Sequence, residues 1–327
     1  MAYNRRIDID IAKGIGILLV VFGHSISPVM GSNSLLNAIY TVIYSFHMPL
    51  FFFVSGYFSK KLLSCDDKLK SIKDKAQRLL IPYVAWAAIY LVLRVSLGRF
   101  ARFEYSLSDI WTIALGNNPC GQMWFLYVLF VFSLVVILFI NKRNVKILFA
   151  VAIAVSFFSP LYTPALSGIS MGFSLLQLVF FVGGLIADEK TINLMQSKIS
   201  LALAFILFVG YFTMKYAFHI DYWTLRLLPA VAGVVIVLNF GRRIEGTRIS
   251  KPLSVFGEKS MTLYVLHSPF LLAMRLLIIH ILKLQNPWVY IVSTSIVCVV
   301  GSLFVEKFII KRIKILGVLL LGNKERK

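Results

Sequence analysis

Residues 5–30 read RRIDIDIAKGIGILLVVFGHSISPVM. From Ile11 to Met30 the ionisable side chains are Lys13 and His24, in a run about as long as the ~20 residues that cross a hydrocarbon core. An apolar stretch of this length behind two arginines is a membrane-spanning helix. Outward from it the composition agrees: 59% of the 327 residues are hydrophobic, 15% are charged, and mean hydropathy is +0.82. A soluble domain has roughly a quarter of its residues charged. The chain is therefore read as an all-α integral membrane protein. With 20 Gly, 10 Pro and three cysteines at unrelated spacings, collagen-like, disordered and disulfide-framework classes are excluded. Cys65, Cys120 and Cys298 imply neither a bridge nor a metal site. Asp10 and Lys13 interrupt the apolar run and no A-x-A site follows, so the first helix is read as retained rather than cleaved.

Roughly ten apolar runs can be marked, near 9–30, 36–59, 79–97, 122–140, 145–159, 171–187, 199–217, 224–240, 260–282 and 287–305. The predicted architecture is a single transmembrane domain over residues 1–327, a bundle of about ten helices joined by short loops. The net charge of +20 follows the alternation of these loops. Of 34 Lys and Arg, 26 fall in the N-terminus, 60–78, 142–146, 190–198, 242–259 and the C-terminal tail, seven in the alternate segments, and Lys13 lies inside the first run. That asymmetry is the positive-inside signature and puts both termini in the cytoplasm. The charge orients the chain in a bilayer; it is not read as a nucleic-acid surface.

Polar side chains inside such spans are costly and mark function by default. At 100° per residue, Asp10, Lys13 and His24 share a stripe about 60° wide on the first helix. His24 lies roughly 16 Å beyond Lys13 and about six residues from the outer end of its run. Asp10 and Lys13 are also spaced as a simple i,i+3 pair that snorkels to the surface. An imidazole at the depth of His24 can take or give a proton near neutral pH. In the second run His47 precedes Pro49 by two residues, and that proline leaves the carbonyl of Ser45 without its helical donor. Ser55-Gly56 weakens the same helix further on. Such a break is tolerated where backbone lines a cavity or is buried in protein, so His24 and His47 are expected to share a polar cavity.

In the ninth run Ser260, Tyr264 and His267 share a face, placed equally well to line a pocket or to join helices. Trp124 opens the fourth run, either as an interfacial belt residue or as a stacking platform for a sugar. Lys75 and Arg78 close the basic loop, and Arg78 has the fork geometry that suits a phosphate. No nucleotide-binding P-loop, H-E-x-x-H or G-x-S-x-G occurs.

The pattern D-x-A-K-G-I-x-I-x-x-V-V-x-G-H from Asp10 to His24, followed by F-H-M-P-L-F-F-F-x-S-G-Y from Phe46 to Tyr57, resembles the acyltransferase 3 family of bacterial membrane proteins. R-L-L-I-P-Y (Arg78 to Tyr83), W-F-L (Trp124 to Leu126) and G-x-x-S-x-x-L-Y-x-L-H (Gly257 to His267) extend the likeness. Within the family the chain is most similar to the branch of fucose 4-O-acetylase and related acetyltransferases. The resemblance implies about ten transmembrane helices in the bacterial inner membrane. It also implies transfer of an acyl group, usually acetyl from acetyl-CoA, to a sugar hydroxyl outside the cytoplasm. The family's motif of a basic residue, ten residues and a histidine falls on Lys13 and His24, with Lys where many relatives have Arg. Its arginine-rich stretch before the third helix is represented by Lys75 and Arg78.

On this basis His24 is expected to be the general base, with His47 close by and Asp10 fixing Lys13 or closing the site. Lys13, Lys75 and Arg78 are expected to hold the phosphates of acyl-CoA, a co-substrate rather than a resident cofactor. Ser55, Trp124, Tyr264 and His267 are the candidates for the sugar or polysaccharide acceptor, and no metal is expected. The competing expectation is a transporter or flippase of a lipid-linked glycan, or another membrane protein of polysaccharide assembly in the cell envelope. Transporters often carry broken helices in both halves, whereas this sequence pattern has one break, near Pro49, with no counterpart.

Overall fold

In the chain order of a computed structural model, described over residues 5–97, 107–158 and 175–323, the regular elements are helices and no strand occurs among the described residues. They are α1 (Ile7–Ile26), α2 (Ser34–Tyr57), α3 (Lys68–Leu97), α4 (Trp124–Phe139), α5 (Val145–Phe157), α6 (Leu178–Ile186) and α7 (Glu189–Met195). There follow α8 (Lys198–Ala217), α9 (Leu227–Arg243), α10 (Ser250–Glu258), α11 (Ser260–Arg275), α12 (Pro287–Val305) and α13 (Lys314–Leu321). Single π-helical stretches extend α11 over Leu276–Ile281 and α12 over Glu306–Ile310.

Among the described residues seven helices are long and apolar enough to cross a membrane: α1, α2, α3, α4, α8, and α11 and α12 with their π-helical extensions. The sequence pattern marks ten apolar runs. The run at 145–159 becomes a helix of 13 residues, which rises only about 20 Å. That at 171–187 is described from Leu175 onward, and that at 224–240 becomes the 17-residue α9. Apolar side chains cover much of the outside: on α8 Ile199, Leu203, Ile206 and Val209 are exposed, and on α12 Val292, Ile296 and Val300. Surface of that kind and extent is stable against lipid and would aggregate in water.

Three departures from the sequence pattern bear on the site. First, α3 begins ten residues before Arg78, so half of the basic loop is helical. The Asp67 carboxylate accepts the Lys70 N–H at 2.8 Å and caps the helix, and no Gly or Pro interrupts 68–78. Second, α1 ends at Ile26, so His24 stands in its last turn; Pro28 follows shortly, as it does after many helix ends. Third, Pro49 is not alone. Pro82 lies inside α3 and Pro269 inside α11, so a second intramembrane proline follows a histidine by two residues. The contrast with transporters drawn from a single break therefore falls away.

The chain divides into two compact units, Met1–Tyr57 with Ala187–Val300, and Phe58–Ile186 with Gly301–Lys327. In the first, α1 is the element against which α2, α9, α10 and α11 pack. The nine-residue α10 runs antiparallel along it, because two glycines remove the side chains that would hold the backbones apart. A Cβ on Gly14 would land on the Leu253 carbonyl, and one on Gly257 would land on the Asp10 carbonyl. Ser250, Ser254 and Gly257 form the buried side of α10, a spacing of one helical face. Near the far end of α1, Ile26, Leu36, Ile43, Ile278, Tyr290 and Ile291 form a buried cluster.

In the second unit α3 packs on α4 and α13, and α5 on α6. Tyr83 donates its O–H to the Ile113 carbonyl at 2.8 Å, and Asn118 donates to the Tyr83 carbonyl at 2.9 Å. Pro82 leaves the Arg78 carbonyl without its helical donor, and Gly322 closes onto that carbonyl with φ +64°, in the left-handed region and with no room for a Cβ.

Gly14→Ala and Gly257→Ala are each expected to cost about 1–3 kcal/mol by overpacking the α1–α10 seam. Thermal unfolding of the detergent-solubilised protein would read this as a fall of several degrees. Gly31→Ala, where an added Cβ meets nothing within 4 Å, should leave the midpoint unchanged.

Candidate active site

Three imidazoles from three helices of the first unit converge. His24 comes from the last turn of α1, His47 from the middle of α2, and His267 from α11. The rings of His24 and His267 stack with centroids 5.3 Å apart and planes 29° from parallel. His47 meets the edge of Tyr44 at 4.6 Å, and Tyr44 in turn lies 3.1 Å, hydroxyl to Nδ1, from His24. Tyr264 lies beside His267 at 6.3 Å between centroids. Gly23 makes the α1–α2 contact possible, since a Cβ there would stand 3.0 Å from the Tyr44 ring.

The partners of the rings fix their chemistry. His47 Nδ1 lies 2.8 Å from the Ile43 carbonyl, and His267 Nδ1 lies 3.0 Å from the Leu263 carbonyl. A carbonyl only accepts, so each Nδ1 carries the proton and donates it one turn back along its own helix. Each neutral ring then presents an unprotonated Nε2, the nitrogen that acts as a base. His267 is fully buried, and its Nε2 has no hydrogen-bond partner. An unsatisfied buried acceptor is costly, so this nitrogen is a point where an incoming donor can bind. His24 retains some accessible surface while His47 is buried.

At the other end of α1 the charged residues form their own cluster. Asp10 accepts from Lys13 Nζ at 3.0 Å and from Arg5 Nε at 3.0 Å, and Arg5 also pairs with Glu258 at the end of α10. The neighbouring Asp8 carboxylate is buried, bound by Arg6 at 2.7 Å and by Gln196 at 2.7 Å. Its hydrogen bonds to the Asp8 carboxylate hold the Arg6 guanidinium above its ordinary pKa. Asp10 and Lys13 are thus joined to each other, eleven or more residues, about 16 Å, below His24. Ser55 stands two turns beyond His47 on α2, partly buried.

In the second unit Lys75 Nζ donates to Ser59 Oγ at 2.9 Å. Arg78 is exposed a turn further along α3, and Trp124 is the first residue of α4, edge-on to Phe125. Of the residues singled out from the sequence, the fold brings together His24, His47, Tyr264 and His267. Sequence reasoning missed Tyr44. The available signal was its place three residues before His47, one helical turn away on the same side, as a polar-tipped ring in an otherwise apolar stretch.

A family profile described as an acyltransferase domain matches residues 6–307. The chain is 30% identical over 227 residues to the nodulation protein NolL of Mesorhizobium japonicum, an alignment covering 66% of this chain and 59% of that protein. It is 32% identical over 160 residues to the nodulation protein NolL of Sinorhizobium fredii, covering 47% of this chain and 43% of that protein. The matched region spans about half the length of these curated relatives. No solved structure matches the chain.

Nitrogen NMR of protein labelled at histidine tests the ring assignments without reference to any activity. His47 and His267 should each give the signature of the Nδ1–H tautomer, lost singly in His47→Gln and His267→Gln. An Nε2–H signature for either ring would contradict the carbonyl hydrogen bonds described.

Proposed function

The chain belongs to the acyltransferase 3 family, and from that premise we propose that it moves an acyl group from acyl-CoA to a hydroxyl of a sugar. The acyl group is acetyl and the donor cytoplasmic. The acceptor is an extracytoplasmic or lipid-linked glycan, and the protein sits in a bacterial inner membrane with both termini inside. The observation that carries this reading is the meeting of three histidines on separate helices, one of them with a buried, unpartnered Nε2.

The chemistry needs a base more than it needs a charge. A sugar hydroxyl attacks a thioester carbonyl only as its proton leaves, and a positioned imidazole supplies that step. His24 is assigned as this base. Its Nε2 takes the hydroxyl proton as the oxygen bonds to the carbonyl carbon; the carbon–sulfur bond then breaks, and the sulfur leaves with the proton returned by His24. The products are an ester and free CoA. His24 stands in the last turn of α1, where the carbonyl end of the helix favours a positive charge such as the imidazolium formed on the way. His267 Nε2 is assigned to accept a hydrogen bond from the acceptor sugar, with Tyr264 beside it, and His47 completes the polar wall.

We assign phosphate recognition to basic side chains, Lys13 within the first unit and Lys75 with Arg78 within the second. Asp10 keeps Lys13 extended along α1 through their 3.0 Å bond. Pro269 of α11, beside Pro49 of α2, gives a glycan flippase a specific point in its favour, because the site then has broken-helix candidates on two elements.

Purified protein in proteoliposomes, supplied with labelled acetyl-CoA and a panel of glycan acceptors, should transfer the label. His24→Ala should lose transfer by roughly 10²- to 10⁴-fold with its thermal midpoint retained. CoA should stabilise the wild-type protein against heat, as a flippase would not require. Transfer at the wild-type rate by His24→Ala would remove His24 from the reaction, and absence of both transfer and CoA stabilisation would favour the flippase.

A further inference from the structure

All three imidazoles have an oxygen at Nδ1: the Ile43 carbonyl at 2.8 Å for His47, the Leu263 carbonyl at 3.0 Å for His267, and the Tyr44 hydroxyl at 3.1 Å for His24. The first two oxygens belong to the histidine's own helix. The third comes from a neighbouring helix and from a side chain, so it alone can be removed by substitution. We propose that Tyr44 is the positioning residue of His24: its hydroxyl oxygen accepts the Nδ1–H and so presents Nε2 to the reacting hydroxyl. This rests on the reading of His24 as the base.

The direction of the bond follows from the reaction. If the phenol donated to Nδ1, the ring's single proton would sit on Nε2 and no lone pair would face the substrate. With Nδ1–H donated to the phenol oxygen, Nε2 is free. Once Nε2 has taken the proton, both ring nitrogens carry hydrogen and Nδ1 must donate, to an oxygen already in place. A hydrogen bond from a cationic donor is also stronger than one from a neutral ring. Tyr44 therefore stabilises the imidazolium of the transition state more than the neutral ring of the ground state, which is the condition for raising kcat.

A phenol suits this position better than a carboxylate. An ionised side chain between two apolar helices would need its own partner, whereas the phenol is neutral and its ring is held by packing. Tyr40 stacks on Tyr44 at 3.9 Å, and His47 meets its edge. Gly23 gives it room against α1. Tyr44→Phe keeps the ring in those contacts and deletes only the oxygen.

The test uses the full-length protein labelled at histidine, wild type and Tyr44→Phe, with His24→Gln to assign the signal. In the wild type, the nitrogen spectrum should show His24 as the Nδ1–H tautomer; in Tyr44→Phe it should move to a mixture containing Nε2–H, while His47 and His267 stay unchanged. In the acetyl-transfer assay, kcat should fall roughly 10- to 100-fold, the range for removing a group that orients a functional histidine, with KM for acetyl-CoA within about twofold. A wild-type His24 bearing its proton on Nε2, or a Tyr44→Phe protein with unchanged tautomer and kcat, would overturn the assignment. A His24→Ala protein that still transfers acetyl would instead sink the base reading, and the tautomer result would stand or fall by itself.

Discussion

An imidazole enclosed by apolar helices has two nitrogens to satisfy and little access to water. One must be tied to a neighbour, and the other then becomes available to whatever enters. That constraint organises the centre of the first unit. His47 and His267 turn back to carbonyls one helical turn below, and His24 reaches the Tyr44 hydroxyl across a helix contact. In each case the partner is an uncharged oxygen, so orientation is obtained without enclosing an ion pair, whose desolvation would be severe at this depth.

The charges that α1 does carry are kept at its other end. Asp8 and Asp10 lie in its first turn, where the helix N-terminus favours anions, and each is matched by a cation: Arg6 for Asp8, Lys13 and Arg5 for Asp10. The cluster also anchors neighbours, because Gln196 reaches Asp8 and Glu258 reaches Arg5. Between the charged end and His24, α1 offers glycine where α10 must come close. One helix therefore joins an ion-paired base to an uncharged imidazole centre through a backbone-to-backbone contact, and its sequence reads charged, then small, then polar in that order.

Much of this was legible in the residues themselves. Apolar runs of sufficient length give helices wherever a bilayer is the solvent, and an ionisable residue inside such a run has few roles to fill; hence α1, α2 and the placing of His24 and His47 on neighbouring helices follow from spacing, whereas their meeting through Tyr44, and the stacking of His24 on His267, do not. What failed did so for physical reasons. Charge marks where a chain leaves lipid, not where its helix stops, so α3 begins at Lys68 though the apolar run begins near residue 79. Hydropathy also does not measure helix length, and 145–157 stops at 13 residues. The docking of α10 was hidden because its signal, small residues at Ser250, Ser254 and Gly257, lies in a stretch whose basic residues read as loop. Tyr44 was hidden because an aromatic residue in an apolar run looks like packing until a partner for its hydroxyl is known.

His47-Met48-Pro49 and His267-Ser268-Pro269 repeat one local arrangement on two helices. In a helix the N–H of each residue pairs with the carbonyl four positions back, so Ile43 and Leu263 already receive the backbone donors of these histidines. The ring adds a second bond to the same oxygen, which has two lone pairs to offer. Each proline then removes a donor from the carbonyl two residues further on, at Ser45 and Val265. The Nδ1 partner of each of these two rings thus lies on the ring's own helix. His24 is set differently: its partner stands on α2, and its stacking neighbour on α11. A change in the packing of α1 against α2 would leave two of the imidazoles as they are and alter the third. The state of the site therefore depends on the one contact that Gly23 and Tyr44 make between those helices, and His24 is the group through which packing reaches chemistry.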